Sequence, residues 1–129
     1  MKRVAIISDP LSAIAVAYDS SLYLAEVALT MHCEVYWVDS TTVVTQAGDG
    51  VEGRVMAHAM QLQACRHSCY TVLPSHLSIN DVMGLSDVGE LDLSTMDLIL
   101  MRKDPPVDMH YLQITYALSR LVDLSLIHI

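Results

Sequence analysis

Two short stretches of this sequence gather side chains that could do chemistry. Arg102 and Lys103 stand side by side in Met101-Arg102-Lys103-Asp104-Pro105-Pro106. They are two of only seven cations, set against fifteen acids. A guanidinium can take a carboxylate through two parallel N–H donors, and the lysine adds a compact second charge. The prolines that follow restrict the backbone, which lowers the entropy lost when a ligand fixes the loop. The competing reading is a solvated pair, or one neutralised locally by Asp104 and Asp108. The second stretch is Ser8-Asp9-Pro10 together with Asp19-Ser20-Ser21. Amides at a helix start, with hydroxyls beside them, suit an anionic group. Strand termination and helix capping alone would account for the same residues.

Other chemistries fit less well. Cys65-x-His67-x-Cys69 sets metal-ligand types on alternate residues, with His58 and His76 nearby. Closed zinc sites use wider spacers or helical i, i+4 geometry, so free thiols and no metal are expected here. Three cysteines are an odd number, and no secretory context supports a disulfide framework, which points to a reduced, cytoplasmic protein. No Walker A loop, HExxH or GxSxG occurs. Eight methionines and no phenylalanine read as core filling. A net charge of −8, with Lys2-Arg3 and Arg102-Lys103 the only adjacent basic pairs, argues against nucleic acid as a partner, because binding the phosphate backbone needs larger clusters of Lys and Arg. Asp9-Pro10 cuts the first apolar run to Val4–Ile7, too short for a signal peptide, and no stretch is long enough to span a bilayer.

The elements that must position these residues follow from patterning. At 129 residues the chain suffices for one domain. Val4-Ala5-Ile6-Ile7 is a continuous apolar run, as in a strand buried on both faces. A loop follows over 11–18, and Asp19-Ser20-Ser21 opens a helix with Leu22, Ala25, Ala28 and Leu29 on one face, ending near His32. Glu34–Val38 is a second strand, which makes a βαβ unit with a right-handed crossover. Thr41–Thr45, the turn residues 46–50 and Val51–Met60 predict a β-hairpin excursion. Within 61–90, a strand over 69–73 and a short helix or turn over Asn80–Leu85 are expected. Asp97–Met101 is another buried strand, and Asp108 caps a helix with Ile114, Ala117, Leu118 and Leu121 on one face. Residues 124–129 are expected to form a last strand. The fold class is α/β, a mostly parallel sheet with flanking helices.

Four stretches, in order, resemble one family, the prokaryotic-type glutathione synthetases, in their N-terminal domain. They are VAIISDP at 4–10, Asp19-Ser20-Ser21, Glu34-Val35-Tyr36, and LILMRKDPP at 98–106 with Asp108 after it. The last is the most specific. The resemblance implies a Rossmann-like pre-ATP-grasp domain over 1–121 and a non-matching tail over 122–129. It also implies that the ATP-grasp lobes are absent, so the chain by itself would be inactive. The family ligates γ-glutamylcysteine and glycine with ATP and Mg²⁺. It commonly self-associates, which implies a homo-oligomer. By position in the motifs, Asp9, Pro10, Asp19, Ser20, Ser21, Arg102 and Lys103 would form the substrate side, with no catalytic or metal-binding residue in this stretch. The alternative is a stand-alone small-molecule-binding or oligomerisation domain without catalysis.

Overall fold

In a computed structural model, the described residues are 1–11, 20–48, 51–65, 79, 83–102, 109–119 and 125–128. The elements run in the order β1 (Arg3–Ser8), α1 (Ser20–Thr30), β2 (Glu34–Asp39), β3 (Val44–Gly48), β4 (Val51–Cys65), β5 (Met83–Asp92), β6 (Leu98–Met101), α2 (Met109–Ser119) and β7 (Ser125–His128). All the strands join one sheet.

β1 is its centre. It pairs in parallel with β2 on one side and with β6 on the other, and β6 pairs in parallel with β7. The continuous apolar run of β1 is explained by this position, since Ala5, Ile6 and Ile7 are wholly buried. β4 runs antiparallel to β2, β3 and β5. Met56 of β4 faces Val44 of β3 and Asp92 of β5, while Leu62 faces Val35 of β2 and Leu85 of β5. One edge of β4 therefore takes β2 and then β3, and the other takes β5. Among the described strands only β4 opposes the common direction, so the sheet is mostly parallel, as expected, and the hairpin excursion is present.

Alternate residues serve opposite faces. Ala5, Ile7, Tyr36, Val38 and Met101 share one core with Ile114 and Leu118 of α2. Val4, Ile6, Val35 and Trp37 share the other with Leu22 and Ala25 of α1. Right-handed crossovers leaving the sheet centre in opposite directions put their helices on opposite faces, and this is where α1 and α2 lie.

α1 stops for a local reason. The Cys33 amide donates to the Ala28 carbonyl at 3.0 Å, and the His32 amide donates to the Leu29 carbonyl at 3.0 Å. His32 has φ +62°. This is a Schellman cap, built on a histidine where glycine is usual. After β2, the Asp39 carboxylate accepts from the Thr41 amide at 2.9 Å. After β5, Asp92 accepts from Ser94 at 3.0 Å. Each turns the chain through a single 3₁₀ turn.

Two expectations need correction. Residues 83–85, expected in a helix or turn with 80–82, belong to β5, where Cys65 faces Met83 and Leu62 faces Leu85. The partner strand β4 supplies the backbone hydrogen bonds, and pairing overrides weak local preference. The strand in β4 also runs on to Cys65, past the Met60 limit expected. The loop over 12–18, the strand over 69–73, Asn80 and Leu121 lie outside the described residues.

Candidate functional site

The carboxyl ends of β1 and β6 meet at the centre of the sheet. From β1 the chain moves outward to β2, and from β6 it moves outward to β7. Ligands of open α/β sheets bind in the crevice at such a reversal. Ile7 faces Met101 across the two strands, and the Arg102 amide extends the ladder by donating to the Ile7 carbonyl at 2.8 Å. The strand pairing thus delivers Arg102 to the rim of the crevice. Its Nε donates to the Ser21 hydroxyl at 3.2 Å, linking residues 81 positions apart. Ser21, in the first turn of α1, is only 4% exposed. Arg102 and Ser21, singled out from separate stretches of sequence, are brought together.

Asp9 and Pro10 follow β1 at the same end of the sheet. The indole N–H of the buried Trp37 donates to the Asp9 carbonyl at 2.9 Å, pinning this loop to β2. Beside it a small recess of about 90 Å³ is lined by Pro10, Leu11, Trp37, Asp39, His58 and Met60. His58 lies 3.4 Å from Asp87 across β4 and β5. Trp37 and His58 were not singled out for this end of the sheet. Trp37 gives no sequence signal, since its role depends on β1 lying beside β2. Ser20 opens α1; its side chain, like Asp19 and Lys103, lies outside what is described.

Arg3 marks the other end of β1. Its guanidinium donates to the Tyr36 hydroxyl at 3.3 Å and lies 3.3 Å from Glu34. Its pKa is raised, first by the hydrogen bond to Tyr36 and further by Glu34, against the lowering effect of burial. This cluster ties β1 to β2, away from the crevice.

Nucleotide and metal requirements find little here. Gly48-x-Gly50-x-x-Gly53 has the glycine spacing of a dinucleotide loop. That spacing works between a strand and a helix, whereas here it joins β3 to β4. Among the described residues no group of His, Cys, Asp or Glu comes together to hold a metal ion. The Cys65-x-His67-x-Cys69 side chains lie outside what is described. No helix of the described residues is long and apolar enough to cross a membrane.

Comparison with known proteins bears out the family resemblance. Residues 2–127 match the family described as prokaryotic glutathione synthetase, N-terminal domain. The chain is 28% identical over 120 residues to the glutathione synthetase of Photorhabdus laumondii, covering 93% of this chain and 33% of that protein. It is 30% identical over 104 residues to that of Mesorhizobium japonicum, covering 65% and 31%. With that of Escherichia coli O157:H7 it shares 29% identity over 122 residues, covering 93% and 33%. The chain thus spans about a third of the length of these curated relatives. With this match running almost end to end, the chain belongs to the prokaryotic glutathione synthetase N-terminal domain family.

Proposed function

We propose that this chain is the substrate-side domain of a glutathione synthetase, a ligase that joins γ-glutamylcysteine to glycine at the expense of ATP. The observation that carries this reading is the Arg102–Ser21 contact at the crevice, in the stretch that most specifically resembles the family. Arg102 would receive a carboxylate of γ-glutamylcysteine as a charge-assisted pair. Lys103 would add a second positive charge, and the Asp19–Ser21 helix start would offer amides to the same anion. Asp9 and Pro10, fixed through Trp37, would shape the neighbouring wall.

ATP and Mg²⁺ supply phosphoryl-transfer chemistry to such ligases, but the described residues do not fit them. They bring together no metal-binding group, and the glycine-spaced segment is a hairpin. The role of these residues is to bind and orient. Residues 1–129 on this reading bind γ-glutamylcysteine and do not make glutathione by themselves. On this reading the protein works in the cytoplasm on small molecules, not on nucleic acid or at a membrane, and self-associates.

The test is to incubate the purified chain with γ-glutamylcysteine, glycine, ATP and Mg²⁺, measuring binding and product separately. Binding without glutathione is the expected result. Glutathione formation would contradict the assignment of a binding role alone, and no binding would contradict the substrate assignment.

A further inference from the structure

We infer that the Ser21 side chain is a positioning group: its hydroxyl sets the plane of the Arg102 guanidinium and acts on the ligand only through it. The inference rests on the reading of Arg102 as the carboxylate receptor. Arg102 is held at both ends. Its amide is fixed to β1 through the Ile7 carbonyl at 2.8 Å, and its Nε is held by the Ser21 hydroxyl at 3.2 Å. Ser21 is itself well anchored, because the next residue, Leu22, is wholly buried against the sheet, as is Ala25 one turn later. A hydroxyl in a residue only 4% exposed is poorly presented to a ligand arriving from solvent. The same hydroxyl is well placed to hold a long, rotamer-rich side chain in one orientation.

The consequence is preorganisation. An arginine side chain loses much rotamer freedom when a ligand orders it. With its Nε already held, most of that loss is taken on folding, so the incoming carboxylate meets a guanidinium whose plane is set. Ser21 would then affect affinity for a carboxylate ligand and would have little effect once the guanidinium is gone.

Calorimetric titration of the full chain with γ-glutamylcysteine tests this in wild type, Ser21→Ala, Ser21→Thr, Arg102→Met and the Ser21→Ala/Arg102→Met pair. Ser21→Ala is expected to weaken binding roughly two- to tenfold. Ser21→Thr, which keeps the hydroxyl, is expected to restore it. In the Arg102→Met background, Ser21→Ala is expected to cost nothing more. A second readout needs no ligand: the Arg102 Nε–H resonance should exchange with solvent faster in Ser21→Ala, while remaining protected in Ser21→Thr. The inference is overturned if Ser21→Ala costs the same with and without Arg102, or if Nε–H exchange is unchanged. If γ-glutamylcysteine fails to bind the wild-type chain, the functional reading falls, and the Nε–H measurement still decides the role of Ser21.

Discussion

Arg3 and Arg102 sit at opposite ends of the central strands, and their surroundings set different tasks. Arg3 is bound by Tyr36 and Glu34, and the Tyr36 hydroxyl also donates to Glu34 at 3.1 Å. Its raised pKa means the folded state favours the charged form. The associated stability is therefore present at ordinary pH and is lost only as pH rises beyond the usual arginine range. Tyr36→Phe keeps the ring against the core and removes only the bridging hydroxyl. It is expected to cost about 0.5–1.5 kcal/mol in urea denaturation and to leave ligand binding unchanged. Arg102 was legible as a candidate because an arginine–lysine pair in an acidic chain follows a buried strand. Ser21 was legible as a cap, but its link to Arg102 requires β1 and β6 to be neighbours, and no local pattern encodes that.

At the scale of elements, the cap of α1 makes a clear prediction. His32 occupies a left-handed conformation at φ +62°, which favours glycine. His32→Gly is expected to stabilise the fold by about 0.5–1 kcal/mol, measured as a higher Tm, and an unchanged or lower Tm would contradict the cap assignment. The buried strands were readable because burial on both faces leaves unbroken apolar runs, as in Val4–Ile7 and Leu98–Met101. β5 was not readable. Its residues are mostly half-buried on both faces, without alternation, and Gly89 at φ +66° sits at a register shift opposite Ala59 and Met60. Its stability comes from pairing along β4, a long-range term. The length of β4 was hidden for a similar reason, since its two edges serve three different strands.

The whole molecule is organised around β1, which joins both faces of the sheet and both sides of the crevice. Ile7 packs in the core beneath α2, and its carbonyl holds Arg102. Ile7→Ala is expected to cost about 2–5 kcal/mol, through lost burial and the cavity left behind, and to weaken ligand binding as well. A loss of binding without loss of stability would show that β1 does not couple the core to the crevice. The proposed role of Arg102 is in binding, and binding tests it most directly. Isothermal titration of γ-glutamylcysteine into the wild-type chain and into Arg102→Ala is the measurement. Saturable binding to the wild type is expected, with a loss of affinity of roughly ten- to a hundredfold in Arg102→Ala, the cost of one charge-assisted contact. Equal affinity for both proteins, or no binding to either, would contradict that role.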